Sequence, residues 1–131
     1  MWRGLALALT LSAAPVSAWT ADNLLTVNDL SGGDGFEVIG GPGLAPSDYW
    51  CAAGDYALRV LRAPTTARVY LTRARGPAVT ANRKSAAHFS LTPAPDAPPH
   101  EGVFLTVRKA GAHLSVGFAI SYCENRKSLD F

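Results

Sequence analysis

The sequence predicts an α+β fold in which one amphipathic helix packs on a mostly antiparallel sheet of about five strands, with a single disulfide. Three observations lead to this prediction. One helical segment ends at a proline, several short segments alternate between apolar and polar residues, and the chain carries two cysteines. The pattern contains no internal repeat, and a proline-rich stretch at 93–102 is its one biased segment.

Residues 1–18 (MWRGLALALTLSAAPVSA) have the pattern of a signal peptide. Arg3 supplies a positive charge, thirteen uncharged residues follow, and the segment ends in a Val-Ser-Ala triplet that suits an export peptidase. Thirteen residues are too few to span a bilayer, which takes about 20, so we expect no membrane span. We expect cleavage before Trp19, which leaves 19–131 as one small domain. The alternative is an N-terminal helix that stays in the fold.

The amino-acid composition indicates the compartment in which the protein is found and excludes one class of partner. Nine arginines against three lysines, with abundant alanine, indicate a GC-rich bacterial source, so the predicted localisation is periplasmic or secreted. Without Arg3, eleven basic residues face ten acidic ones. Because this balance creates no strong overall field, we expect no nucleic acid partner.

The clearest element is a helix that covers YWCAAGDYALRVL (49–61). Ser47 is the expected N-cap, and Pro64 ends the helix. Asp55 and Arg59 are spaced to form an i, i+4 ion pair. Gly54 weakens the helix by up to ~1 kcal/mol relative to alanine, which predicts a close approach to a strand at this point.

Cys51 and Cys123 are predicted to form a disulfide, because an even pair in an exported chain is usually oxidised. Cys51 lies at the border between the polar and apolar arcs of the helix and therefore faces a neighbouring element. The alternatives are a free structural pair and a reactive thiol. The sequence has no C-x-x-C or H-x-x-x-H spacing for zinc and places no base near either cysteine.

The remaining elements are strands. Residues 19–35, which end in SGGDG, are expected to be a flexible surface segment. The last two predicted strands are expected to form a hairpin around Gly111. We place the helix on the large apolar face of the final strand, which requires a bulge near Ser121. The predicted strands are 36–39, 67–72 (ARVYLT), 87–91, 103–109 (VFLTVRK) and 112–123 (AHLSVGFAISYC).

No catalytic motif is present in the sequence. It contains no P-loop, no dinucleotide fingerprint and no G-x-S-x-G, and we predict neither a cofactor nor a metal site. An enzyme would have to assemble its residues in the fold, with His88, His113 and Ser115 as the candidates for a small periplasmic hydrolase or a metal-dependent enzyme. The other interpretation is that both histidines are structural.

The one local charge bias lies in the turn-rich segment 72–85. It is either a contact for an anionic partner, such as a polysaccharide, a lipid head group or a protein patch, or a solvated loop. The residues of this predicted anionic-partner patch are Arg73, Arg75, Arg83 and Lys84.

The leader, the YWCAAGDYA helix and the late SYC segment resemble small uncharacterised exported bacterial proteins with one helix-to-strand disulfide. The resemblance covers the chain from about Asp48 onward and implies one disulfide-closed domain and no particular activity. The leading hypothesis is an exported non-enzymatic domain that binds a partner, such as an envelope protein or a polysaccharide. A flat face with exposed Tyr70, Phe104 and Arg68 would favour this hypothesis, and a cleft with a histidine and a nucleophile would favour an enzyme.

Overall fold

The structure, a computed structural model, describes residue 4 and residues 18–33, 35–100, 102 and 105–127. In these residues two helices pack on a six-stranded antiparallel sheet, which confirms the α+β fold class with one strand more than expected. The elements are β1 (Trp19–Thr20), β2 (Thr26–Asp29), β3 (Phe36–Ile39), α1 (Pro46–Arg59), β4 (Arg68–Gly76), β5 (Ala86–Ser90), β6 (His113–Ser115) and α2 (Val116–Lys127). The strand order in the sheet is β1-β2-β3-β5-β4-β6.

Residues 19–35 contain two strands, so the expectation of an irregular surface segment before the first strand is wrong. Trp19 pairs with Val27, and β2 pairs along its whole length with β3. The segment folds because it has an apolar face: Val27 is fully buried, and the Trp19 ring packs edge-on against Tyr56 at 5.6 Å. Phe36–Ile39 is therefore the third strand of the chain.

The predicted strands at 36–39, 67–72 and 87–91 are confirmed as β3, β4 and β5. β4 continues to Gly76 through two irregularities in its pairing with β5. The prediction of a strand at 103–109 is wrong in its described part, because residues 105–109 contain no strand. They contact β4 through one backbone bond instead, which Arg75 N donates to Val107 O at 2.7 Å.

The prediction of a strand at 112–123 is also wrong, because the chain turns into α2 after the three residues of β6. The Ser115 hydroxyl accepts a hydrogen bond from Phe118 N at 3.1 Å, as an N-cap does. The buried side chains Val116, Ala119 and Cys123 are spaced by three and four residues. This is the period of a helix face, and it overrides the apolar alternation of the same segment.

The N-cap of helix α1 lies two residues earlier than predicted. It is Ala45 and not Ser47, Pro46 takes the first helical position, and Asp48 Oδ2 accepts a hydrogen bond from Ala45 N at 2.9 Å. The predicted ion pair is confirmed, with Arg59 Nε 2.9 Å from Asp55 Oδ1.

Helix α1 packs against both the sheet and α2. Its aromatic side chains pack on the sheet, with Trp50 against Phe89 at 5.0 Å and Tyr56 against Phe36 at 4.5 Å between ring centroids. On its other side, a Cβ at Gly54 would lie 2.8 Å from the Cβ of Ala119. The predicted close approach at Gly54 is therefore present, but the neighbour is helix α2 and not a strand.

The disulfide between Cys51 and Cys123 is confirmed, with 5.0 Å between the two Cα atoms. It joins α1 to α2, so the expected helix-to-strand bridge is in fact a helix-to-helix bridge. The predicted bulge near Ser121 does not form because this residue is helical. In the described part of the chain no helix is long and apolar enough to cross a membrane.

Candidate anion-binding site

The sheet face opposite α1 carries a row of polar side chains that crosses four strands. Asn28 pairs with Glu37, Glu37 with His88, and His88 with Arg73. Directly paired residues point to the same side of a sheet, and the neighbouring Phe36 points to α1. We call these four residues the polar row.

Glu37 is fully buried at the centre of the polar row and accepts four hydrogen bonds. Its donors are Val79 N at 2.8 Å, Thr80 N at 2.9 Å, Thr80 Oγ1 at 2.5 Å and His88 Nε2 at 2.6 Å. Burial raises the pKa of Glu37, but the bonds from Thr80, Val79 and His88 together lower the pKa below its ordinary value of 4.5. The carboxylate is therefore ionised at neutral pH and anchors the loop 77–85 to the sheet.

Sequence reasoning assigned no role to Glu37. The signal that could have identified it is a single acid inside the otherwise apolar strand segment FEVI. An acid at such a position is rarely left buried without several donors. The donors could not be identified from the sequence, because three of the four come from a loop more than 40 residues further along the chain.

The three candidates for an enzyme do not come together. His88 is bound in the polar row, whereas His113 lies on β6 and packs against Tyr70 at 5.4 Å between ring centroids. Strands β5 and β6 flank β4 on opposite sides, and the two histidines pair with β4 residues three positions apart, so they are separated by more than about 10 Å. Ser115 caps α2. In the described residues no histidine bonds to a hydroxyl, and no three potential metal ligands form a group.

The flat face that would favour a binding role requires three exposed side chains, of which the described residues include two. Arg68 is exposed, but Tyr70 is half-buried against His113. Phe104 lies outside the described residues.

A pocket of about 780 Å³ lies where β3 and β4 end and β5 begins. Among the described residues, its walls hold four cations and no acid. Three of them belong to the predicted patch, and we call this site the basic pocket. Arg73 is not among them, because its guanidinium turns to the polar row and donates to Pro77 O at 2.7 Å. The four cations are Arg75, Arg83, Lys84 and Arg108.

Arg75 is exposed, but neutral groups hold it in place in the wall of the basic pocket. Its Nε donates to Ser85 Oγ at 2.7 Å, and the Tyr49 hydroxyl lies 2.7 Å from the same oxygen. The guanidinium carbon lies 5.7 Å from the centre of the Tyr49 ring, within cation–π range. Tyr49 reaches this place because Gly40 has no side chain; a Cβ there would lie 1.9 Å from the tyrosine oxygen. The terminal nitrogens of Arg75 form no hydrogen bond with any described residue.

The other three cations are less constrained. Arg83 Nη2 lies 3.5 Å from Gly40 O, and Lys84 and Arg108 are exposed. None of the four forms an ion pair with an acid in the described part of the chain. Sequence reasoning missed Arg108, because it is 24 positions after Lys84 and comes close to Arg75 only through the backbone bond of Val107.

No protein-family model, no curated protein and no solved structure matches this chain.

Proposed function

We propose that the protein is an exported, non-enzymatic domain that binds an anionic partner in the periplasm or cell envelope through the basic pocket. The observation that carries the proposal is the convergence of four cationic side chains on one concave surface without an acid among the described walls. The leader pattern and the disulfide support export.

The positive charges of the four cations are not offset by an acid in the described part of the chain. Side chains of like charge repel one another. The protein as a whole is nearly neutral, so the charge is a local feature. A concave site that collects one sign of charge raises the local concentration of the opposite charge, which is the property of an anion-binding site.

Arg75 is the most constrained contact for an anion. Its Nε is used internally and its ring contact with Tyr49 restrains the guanidinium plane. The two terminal nitrogens are then presented as a pair, which matches two oxygens of a phosphate, sulfate or carboxylate. Because less side-chain freedom is lost on binding, such a fork binds an oxyanion more tightly than a mobile arginine does.

The size of the pocket indicates a ligand larger than a single inorganic ion. Its volume of about 780 Å³ falls within the range of ~300–1,000 Å³ for small-molecule sites. One phosphate cannot neutralise four separate cations. We therefore expect a ligand with several anionic groups, or one that occurs at high surface density.

The proposal is tested by titrating the processed, oxidised protein with short-chain polyphosphate by calorimetry. Each pocket arginine is expected to contribute about 1 kcal/mol, so Arg75→Gln combined with Arg83→Gln should weaken binding about 25-fold. Arg68→Gln removes the same charge from an exposed position on β4 and serves as the control, with an expected effect below twofold. Equal weakening by Arg68→Gln, or no binding of the wild-type protein at low salt, would contradict the proposal.

A further inference from the structure

We propose that the anionic partner is a phosphate-bearing lipid, with its head group in the basic pocket and its hydrocarbon against an aliphatic surface beside it. This inference rests on the proposed function and names the ligand class of that site. It is carried by a second pocket, by the conformation of Leu24 and by the position of Arg83 between the two pockets.

The second pocket has a volume of about 330 Å³ and is continuous with the basic pocket. The two share Gly40, Gly41, Pro42 and Arg83. Apart from Arg83 and Thr26, every side chain that lines it is aliphatic. We call its four large aliphatic residues the leucine shelf: Leu24, Leu25, Ile39 and Leu44.

The exposure of the Leu24 side chain and the conformation of its backbone are both unfavourable in the free protein. Its side chain is 72% exposed, more than any other large apolar residue in the described part of the chain. Its φ of 68° lies in the left-handed region, which disfavours a leucine. It occupies the last position of the tight turn between β1 and β2, closed by the bond from Leu24 N to Ala21 O at 2.8 Å. Glycine or asparagine is usual at such a position.

Neither exposure nor backbone conformation gives Leu24 a role in stability. A residue that is both strained and exposed is explained by a contact that the free protein does not make. A hydrocarbon chain on the leucine shelf would remove the Leu24 side chain from water and supply that contact.

Arg83 connects the two halves of the site. Its Nη2 lies 3.5 Å from Gly40 O, and a Cβ added at Gly41 would lie 4.0 Å from the same nitrogen. Gly40, Gly41, Pro42 and Arg83 form the boundary between the basic pocket and the leucine shelf, and the two glycines carry no side chain that would obstruct it. A ligand that crosses it meets positive charge on one side and aliphatic side chains on the other.

This arrangement matches an anionic amphiphile better than the other anionic partners. On the leucine shelf Ile39 is buried and Leu25 and Leu44 are half-buried, so Leu24 is its exposed member. A polysaccharide would neutralise the cations but leave the Leu24 side chain in water. A phosphate-bearing lipid satisfies both parts, since membrane binding adds the burial of apolar area to the attraction between cations and anionic head groups. A protein patch remains as an outcome that the experiment distinguishes.

The experiment is co-sedimentation of the processed, oxidised protein with vesicles. One vesicle type mixes phosphatidylglycerol with phosphatidylcholine, and the other is phosphatidylcholine alone. Binding is expected to the first type only, and Arg83→Gln should weaken it about fivefold. Leu24→Asn should weaken it about tenfold, because the leucine no longer enters the hydrocarbon.

Two further measurements separate a binding role of Leu24 from a structural one. Asparagine tolerates the left-handed conformation, so Leu24→Asn should raise the thermal midpoint while vesicle binding falls. Its affinity for short-chain polyphosphate should be unchanged. The matched control is Leu61→Asn, which alters a leucine of 40% exposure at the other end of α1, about 25 Å from Leu44, and should leave the binding of vesicles and of polyphosphate unchanged.

Each outcome has a definite meaning. Vesicle binding by Leu24→Asn at the wild-type level, or equal binding to both vesicle types, overturns the lipid inference. Binding of polyphosphate or soluble glycerol phosphate without binding of vesicles also overturns it, but leaves the proposed function intact. If neither polyphosphate nor vesicles bind, the proposed function fails as well, and a protein partner becomes the alternative.

Discussion

Replacing Glu37 with glutamine would test the anchor of the polar row while preserving the shape of the side chain. Each carboxylate oxygen accepts two hydrogen bonds: Oε1 from the amide and hydroxyl of Thr80, and Oε2 from Val79 N and His88 Nε2. An amide nitrogen accepts none, so one or two buried donors lose their acceptor, at about 1–3 kcal/mol each. We expect a loss of about 3 kcal/mol from a total of ~5–15 kcal/mol.

The same substitution should change the pH dependence of stability. Because the pKa of Glu37 is lowered in the folded protein, the unfolded chain binds more protons as the pH falls below 4.5. The stabilisation by Glu37 is therefore complete above its unfolded pKa and is lost as the pH falls through its folded pKa. Glutamine does not titrate, so the difference between wild type and Glu37→Gln should be constant above about pH 5 and narrow below pH 4.5.

The assay is urea unfolding at several pH values, followed by tryptophan fluorescence. The control is Glu124→Gln, which neutralises an exposed acid on α2 and should change the free energy of unfolding by less than 0.5 kcal/mol. At neutral pH the thermal midpoint of Glu37→Gln should fall by about 10 °C. A loss below 1 kcal/mol, with a pH profile parallel to that of the wild type, would refute the assignment of Glu37 as the anchor of the loop.

Two further substitutions test the contact between the helices. Gly54→Ala should destabilise the protein by about 1–3 kcal/mol although alanine is the better helix former. The reason is that the new Cβ would lie 2.8 Å from Ala119 Cβ and 3.0 Å from Ile120 N. Unchanged or raised stability in thermal unfolding would contradict the tight contact. Cys51→Ala combined with Cys123→Ala should cost up to about 4 kcal/mol by the chain-entropy model for a separation of 72 residues. Calorimetry of the oxidised protein and the double variant measures this loss, and equal midpoints would contradict it.

The parts of the fold that could be predicted were those with unambiguous local signals. Helix α1 has a long helical period, an acid in its first turn and a proline after its end. Strands β4 and β5 alternate clearly. The prediction for the segment 112–123 was wrong because its apolar residues fit the period of a strand and the period of a helix. Leu114, Val116 and Phe118 alternate as in a strand, whereas Val116, Ala119 and Cys123 follow one face of a helix. Packing on α1 decides between them, and the sequence does not contain that information locally.

The candidate site was predictable in composition and not in arrangement. The sequence shows a local excess of positive charge that includes Arg75, Arg83 and Lys84. Arg73 lies outside the basic pocket because it pairs with His88 on the neighbouring strand. Arg108 lies in the pocket because of an irregular backbone contact between Val107 and Arg75. Both are tertiary features that a charge count along the chain cannot detect.

The bond between Cys51 and Cys123 has a consequence for the protein's resistance to proteases. It closes a covalent ring that includes the exposed proline-rich loop and the segment that carries Arg83. A protease that cuts once within either loop would leave two pieces that remain covalently joined. The nicked protein would then keep its intact mass, apart from one added water, until a reductant separates the fragments.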